Sequence, residues 1–247
     1  MPAQPVNGGQ DPPEPQDGTL CSVLLTGFPA GMLACNCYVL AQRQGSDAVI
    51  VDPGQRAFGP LRRILDENRL TPAAVLLTHG HIDHLWSAQK VADTFGCPVY
   101  IHPEDRFMLT DPIRGFGPRI AQMAFGAMFR EPRQVIELGI DGATLNLGGI
   151  AVTVDHTPGH TRGSVVFRVS ETTHGDGDRM AFTGDTLFRQ SIGRTDLPGG
   201  SGRDLLGSIL NKLLILDDDI KVLPGHGPAS TIGLERRTNP FLEGLTL

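Results

Sequence analysis

The sequence predicts an α/β protein in which sheets are sandwiched between layers of helices. Two observations lead to this prediction. Strand-like and helix-like segments alternate along both halves of the chain, so that sequential strands are interleaved with helices. Several of these strands also end in short loops rich in histidine, glycine and aspartate. Ligand sites in α/β folds are usually built at the carboxyl ends of strands, so these loops indicate where a site would form.

The first half combines apolar strand-like segments with a clearly periodic helix. Residues 58–69 predict a helix because Leu61, Ile64 and Leu65 recur at helical spacing, and residues 73–78 predict a continuous buried strand. The other elements predicted here, bounded by turn residues, are strands at 21–28, 34–41, 47–52 and 98–102 and a helix at 85–95.

The segment 103–133 between the two halves has two interpretations. It contains four prolines and a set of methionine and phenylalanine residues. It predicts either a helical cover over a cleft or an ordinary insertion that packs in the core, since Met and Phe at helical spacing usually belong to a core. Both interpretations stay open at this point.

The second half repeats the alternation of strands and helices. The predicted strands are at 134–138, 144–155, 164–170, 178–183 and 220–223, and the predicted helices are at 203–215 and 231–238. Residues 1–18 are rich in Pro, Gln, Gly and Asp and predict a disordered tail. Residues 19–247 are therefore expected to form a single domain.

Composition argues against several classes of partner. A formal net charge of −6 disfavours nucleic acid, because a phosphate-binding surface needs clustered Lys and Arg. No lysine or arginine precedes Arg43, so the basic region of a secretory signal is missing, and no apolar run reaches membrane-spanning length. The Cys35 and Cys37 pair lies in an apolar alternating stretch and predicts buried thiols rather than a metal site. We expect a cytoplasmic protein with no nucleic-acid or membrane partner.

Four metal-ligand side chains fall within residues 79–84, directly after a predicted strand. Residues two apart in an extended loop point the same way, so His79 and His81 can converge on one ion. Asp83 and His84, after a bend, can turn toward a neighbouring ion. The alternative is that Asp83 only caps the next helix and the histidines are incidental. This alternative is disfavoured because the whole chain has only eight histidines, so that three of them falling within six residues by chance is improbable.

Three later loops each present one more candidate ligand after a predicted strand. A Pro–Gly turn presents His160, a glycine precedes Asp185, and a second Pro–Gly turn holds His226. His156 is close to the first of these turns but nearer the strand, and we interpret it as an ordinary polar residue. All four loops could meet at one edge of the sheets, which predicts a metal site there.

Five motifs occur together in the order and spacing of a known family, at 78–84, 157–161, 182–188, 193–196 and 224–227. They resemble the metallo-β-lactamase superfamily, and within it the glyoxalase II-like (hydroxyacylglutathione hydrolase-like) proteins, in a short form without the C-terminal helical domain. The resemblance spans roughly residues 20–240. It implies an αββα sandwich with a two-metal site at one edge.

The resemblance also implies a ligand set and a reaction. One ion would bind His79, His81 and His160, a second would bind Asp83, His84 and His226, and Asp185 would bridge the two. Two cations roughly 3.5 Å apart can share a hydroxide and polarise an acyl carbonyl. This suits thioester hydrolysis, because a thiolate leaving group needs little protonation. The implied enzyme hydrolyses small acyl thioesters with two divalent ions, zinc before iron or manganese, and uses Asp83 and Asp185 in catalysis.

Two departures from glyoxalase II leave the thiol open. Only about twenty residues follow His226, fewer than the helical domain that helps to bind glutathione requires. Arg194 occupies the position of a basic glutathione-contacting residue and is the candidate substrate-binding residue, but Asp196 replaces a tyrosine.

Two other members of the superfamily are the alternatives. A persulfide dioxygenase would hold one iron on His79, His160 and Asp185, with open positions for oxygen. Residues 197–200 look more like the short hydrolases, which favours hydrolysis. A zinc β-lactamase of the commonest type is disfavoured because it carries a cysteine in place of Asp185, whereas other hydrolases of the fold remain open.

Overall fold

The computed structural model describes residues 23–112, 129–169 and 179–244. They contain two six-stranded sheets that pack face to face between helices, which confirms the predicted αββα sandwich. The first sheet has strand order β1-β2-β3-β4-β5-β6. Its strands are β1 (Leu24–Ala30), β2 (Cys35–Ala41), β3 (Asp47–Val51), β4 (Thr71–Leu76), β5 (Val99–Ile101) and β6 (Val135–Glu137). The pairs from β1 to β3 are antiparallel, and those from β3 to β6 are parallel.

The second sheet is mostly antiparallel. Its strands are β7 (Thr144–Leu147), β8 (Ile150–His156), β9 (Val165–Val169), β10 (Met180–Gly184), β13 (Lys221–Pro224) and β14 (Ser230–Thr231), in the order β14-β13-β10-β9-β8-β7. Only β10 and β13 run parallel. A separate two-stranded ribbon is formed by β11 (Leu187–Phe188) and β12 (Ser191–Ile192).

The alternation of side chains along the strands creates the layers. Leu40 and Val49 face the second sheet, whereas their neighbours Val39 and Ile50 face the helices α1 (Phe58–Asn68) and α3 (Ala88–Phe95). On the opposite side, Val166 packs under α4 (Gly202–Ser208), which continues as a π-helical turn over Ile209–Leu213, and under α5 (Ile232–Thr238). In the part of the chain that the structure describes, no helix combines the length and apolar character needed to cross a membrane.

Three predicted elements differ in the structure. The strand predicted at 144–155 is a hairpin, because Gly148 and Gly149 both adopt positive φ and form a two-residue turn between β7 and β8. The helix predicted at 85–95 is two helices, α2 (Ile82–Leu85) and α3, so that Asp83 and His84 lie in a helical turn. Of the possible cover at 103–133, residues Pro103–Leu109 form a 3-10 helix. Residues 113–128 and the tail at 1–18 lie outside the described residues.

Candidate metal centre

The ends of four strands bring the seven candidate ligands to one edge of the sandwich. Residues 79–84 follow β4, His160 follows β8, Asp185 follows β10 and His226 follows β13. Long-range bonds fix these loops against one another. The amide of Asn36 donates to Gly225 O (2.7 Å), and the amide of Val165 donates to Thr78 O (2.8 Å). Residues far apart in sequence therefore meet because the two sheets end at the same edge.

Three histidines form the first group, which consists of His79, His81 and His160. The distance from His81 Nδ1 is 3.1 Å to His79 Nε2 and 2.8 Å to His160 Nε2. All three side chains are buried. Two nitrogens that share a tetrahedral zinc lie roughly 3.3 Å apart, so this spacing is close to that of a three-nitrogen metal site.

The second group consists of Asp83, His84 and His226. His226 Nε2 lies 3.1 Å from Asp83 Oδ2 and 3.3 Å from His84 Nε2. This group is more accessible than the first, since the His226 side chain is 28% exposed and that of Asp83 is 14% exposed. It mixes nitrogen and oxygen donors, a set that zinc, iron and manganese all accept.

Asp185 lies between the two groups. One oxygen, Oδ2, is 3.6 Å from His160 Nε2, and the other, Oδ1, is 3.3 Å from His84 Nε2. Oδ1 is buried and has no hydrogen-bond donor among the described residues. The chain also leaves room for it, because a Cβ on Gly225 would clash with this oxygen and with His84 Cε1. A buried carboxylate oxygen without a donor fits a place where a cation binds.

Hydrogen bonds orient four of the histidines so that Nε2 faces the centre. His160 Nδ1 donates to Arg194 O (2.8 Å) and His226 Nδ1 donates to Leu33 O (3.0 Å). His84 Nδ1 donates to Asp52 Oδ2 (2.9 Å), and His79 Nδ1 lies 3.1 Å from Thr78 Oγ1. With the proton on Nδ1, the lone pair of Nε2 is available to a metal, as is typical of metal-binding histidines.

Asp52 and Asp105 support the site, and the sequence analysis did not identify either of them. Asp52, at a positive φ after β3, accepts from His84 and from both the amide and the hydroxyl of Thr78. Asp105 is fully buried and accepts from the amides of Gly80 and Gly163 (2.9 Å each) and from Thr161 Oγ1 (2.7 Å). Asp105 thus joins the loop of His79 and His81 to the loop of His160.

The two groups also differ in charge. Burial and the neighbouring imidazoles lower the pKa of His79 well below its ordinary value and that of His81 to about 3. Burial opposes the charged form of His84 as well, but Cys35, Asp185 and Asp52 together raise its pKa well above the ordinary value. The pKa of His226 is raised because Asp83 and Asp185 outweigh burial. The imidazoles of the first group are therefore neutral before metal binds. The imidazoles of the second group must release protons when metal binds.

The structure also brings Cys35 to the centre. Its sulfur and one nitrogen each of His84 and His226 all lie within 4.8 Å of one another. The sequence predicts that Cys35 is a buried thiol, and it is buried. Its position beside two histidines was not predicted. No local signal could have shown this, because His226 follows Cys35 by 191 residues.

Two other residues discussed above lie beside the centre. His156 stacks on His102 with ring centroids 4.1 Å apart and bonds to Arg162 O (2.8 Å), so that its ring is used outside the two groups. The Arg194 guanidinium is exposed and makes two 2.7 Å hydrogen bonds to Asp196. Arg194 therefore touches the centre through its backbone carbonyl, while its side chain is paired.

A cleft of about 480 Å³ lies beside the loops that carry the first group, because Asp105, which joins those loops, contributes to its wall. Its lining also includes Phe107, Met108, Arg162 and Pro198, and none of the seven candidate ligands is part of it. Its volume falls in the range of small-molecule sites, and its lining combines apolar side chains with one cation and the carboxylates of Glu104 and Asp105.

A family model decides the relationship. The model of the metallo-β-lactamase superfamily matches residues 30–226. The chain belongs to this superfamily. It is a metal-dependent hydrolase by family, and its His-rich centre is a candidate site for the divalent ions that this superfamily typically binds.

Among individual proteins, an uncharacterised protein of Mycobacterium tuberculosis is 74% identical over 91% of this chain and 100% of its own length. Hydroxyacylglutathione hydrolase GloC of Haemophilus influenzae is 37% identical over 87% of this chain and 96% of its own.

Solved structures show the same fold. The BLEG-1 B3 metallo-β-lactamase is 40% identical, with a TM-score of 0.77 over 90% of this chain and 100% of its own. A di-iron-bound form of TTHA1623 is 36% identical, with a TM-score of 0.71 over 88% of this chain and 100% of its own. ETHE1 from Myxococcus xanthus is 23% identical, with a TM-score of 0.67 over 88% of this chain and 83% of its own, and shares the fold.

Proposed function

We propose that this protein is a binuclear metallo-hydrolase that cleaves small acyl thioesters of the hydroxyacyl-thiol type. The observation that carries the proposal is the convergence of seven donor side chains, six in two groups of three and Asp185 between the groups. Structural zinc sites are closed four-coordinate cages, and seven donors beside a cleft are too many for one. The similarity to GloC, named a hydroxyacylglutathione hydrolase, supports this substrate class.

In this proposal each residue has a role. His79, His81 and His160 would hold one ion, Asp83, His84 and His226 would hold the other, and Asp185 would be shared by both. Zinc suits both donor sets, and iron is the first alternative because TTHA1623 has a di-iron form. Such a pair of ions supplies a nucleophilic hydroxide at neutral pH and polarises a carbonyl.

The protein's own contribution is orientation and proton handling. Asp185 Oδ1 is buried with no hydrogen-bond donor among the described residues and lies 3.3 Å from His84 Nε2, so it can accept a cation there. The Asp83 side chain is 14% exposed, and its pKa is held below its ordinary range by His226 and His84 in spite of burial. It is therefore ionised and can orient the attacking water by accepting a hydrogen bond from it. The thiolate product leaves without a general acid.

The cleft fits the remainder of such a substrate. Phe107, Met108 and Pro198 offer apolar contact, and Arg162 offers a cation to a carboxylate of the thiol. Arg194 is the second candidate to bind that carboxylate. To do so, its guanidinium must release Asp196 and bond to the substrate instead.

The test combines metal analysis with a thioesterase assay. We expect two transition-metal ions per chain and release of thiol from a 2-hydroxyacyl thioester of glutathione. Chelation should abolish the release, and zinc or iron should restore it. Two bound ions with no cleavage of any thioester in a panel of thiols would contradict the substrate class and leave the metal centre standing.

β-Lactam hydrolysis is the second candidate, because BLEG-1, described as a B3 metallo-β-lactamase, is 40% identical over 90% of the chain. The same preparation should be assayed with a cephalosporin. Turnover of the β-lactam without thioester cleavage would replace the thioesterase proposal. A persulfide dioxygenase rests on shared fold only, and oxygen uptake by an iron-loaded sample is its test.

A further inference from the structure

Cys35 opens β2 directly beside the second group. Its side chain is fully buried, and its sulfur lies within 4.8 Å of one ring nitrogen each of His84 and His226. The hydrogen bond that its thiol makes to Asn36 O is long, at 4.0 Å. A buried sulfur that lies next to two imidazoles has the surroundings of a metal ligand rather than of a core residue.

The backbone around Cys35 fixes this position. The Asn36 side chain donates to Pro224 O (3.0 Å) and Gly227 O (2.9 Å), and its amide donates to Gly225 O. These bonds hold the start of β2 against the turn that carries His226. Cys35 therefore approaches the centre on a rigid strand, which is how a designed ligand would be held.

We propose that Cys35 is a further metal ligand, and that its thiolate makes the second group a mixed sulfur, nitrogen and oxygen site selective for thiophilic ions such as zinc, cobalt and cadmium. This inference rests on the binuclear centre proposed above. On binding, the S–H bond is broken, a sulfur–metal bond forms, and the proton passes to solvent without any change of oxidation state.

The other described cysteines provide the contrast. Cys37, two residues further along β2, and Cys97 both belong to the apolar cluster under the helices. No thiol belongs to the His79, His81 and His160 cluster in the described part of the chain. The sulfur donor is thus specific to the second group.

Cobalt substitution tests the proposal. Metal-free full-length protein is titrated with Co²⁺ and followed by absorption. A near-ultraviolet sulfur-to-cobalt charge-transfer band is expected with one of the two bound equivalents. The band should be lost in Cys35→Ala and kept in the matched variant Cys97→Ala. Cadmium affinity of the second site should fall in Cys35→Ala by at least the roughly 10–100-fold that loss of a metal-supporting residue costs.

The outcomes separate this inference from the proposed function. Two bound cobalt ions without the band in the wild-type protein, or a band that survives in Cys35→Ala, would overturn the role of Cys35 while leaving the binuclear centre intact. Failure to bind cobalt at all would remove both. The wild-type spectrum alone shows whether sulfur binds cobalt. The proposed role of Cys35 can therefore be contradicted even if Cys35→Ala folds poorly. Cysteine-ligated cadmium can also be recognised by cadmium NMR of the wild-type protein.

Discussion

The first group and the second group of the metal centre are built on different principles. The three histidines of the first group are buried, offer nitrogen only and have lowered pKa values. The second group is partly open and combines a carboxylate, two histidines of raised pKa and a nearby thiol. One centre thus contains a preorganised neutral site and a charged site with varied donors.

The supporting residues differ in the same way. Asp105 ties together the two loops that carry the first group through hydrogen bonds to Gly80, Thr161 and Gly163. Asp52 bonds directly to His84 of the second group. This difference indicates that hydrogen bonds between loops fix the geometry of the first site. The second site depends instead on the balance of charges around its histidines. We therefore expect the geometry of the first site to change little when metal binds. We expect the donor set of the second site to determine which metal the centre selects.

The largest effect is expected at the residue that both groups share. Asp185→Asn keeps the shape of the side chain but removes its charge, so both ions should bind more weakly. We expect loss of several kcal/mol of transition-state stabilisation, or at least about a thousandfold in kcat/KM. Elemental analysis and kinetics of the two proteins provide the measurement. Two ions retained at wild-type affinity would show that Asp185 does not bridge the groups.

Removal of one histidine should separate the groups. His160→Ala should eliminate the ion of the first group and leave about one ion per chain, with activity reduced by several kcal/mol in transition-state free energy. His156→Ala is the matched control, since its ring stacks on His102 outside both groups. Loss of metal in the control and not in His160→Ala would mean that the ligand in this loop has been misassigned.

A smaller and more selective effect is expected at Asp105. In Asp105→Asn an NH2 group replaces one of the two accepting oxygens and faces hydrogen-bond donors. At least one of the three hydrogen bonds that the Asp105 carboxylate accepts is therefore lost. We expect the first group to lose about 10–100-fold in metal affinity while the second changes little.

The matched control is Thr161→Val, which removes just one of these three hydrogen bonds and should weaken metal binding less. Stepwise cobalt titration resolves the two sites. Equal weakening of both sites by Asp105→Asn would contradict the selective role of this carboxylate.

The smallest effect is expected among the arginines outside both groups. Because Arg194 is paired with Asp196, Arg194→Ala should raise KM a few-fold and change kcat little, as expected for a contact made equally in ground and transition states. Asp196→Asn should lower KM if the freed guanidinium binds substrate. An unchanged KM in both variants, with a raised KM in Arg162→Ala, would move the substrate carboxylate to the cleft.

Much of the fold could be predicted from the sequence because its signals are local. The apolar strand before residues 79–84 and the spacing of Leu61 and Leu65 on α1 correspond to elements of the structure. The prediction was wrong where two short elements share one apolar pattern. The β7–β8 hairpin appeared as a single strand because the turn at Gly148 and Gly149 interrupts the chain for only two residues.

The sequence alone determined the kinds of donor at this centre and their order along the chain. Histidines two apart, a carboxylate after a glycine and histidines in Pro–Gly turns are local features that chain stiffness and side-chain chemistry already define. The family resemblance already implied which donors share a group, but only the tertiary structure decided that Asp105 joins two loops and that Cys35 lies beside His226. The reason is physical: strand order and the packing of the two sheets set the distances between residues remote in sequence, and no local pattern carries that information.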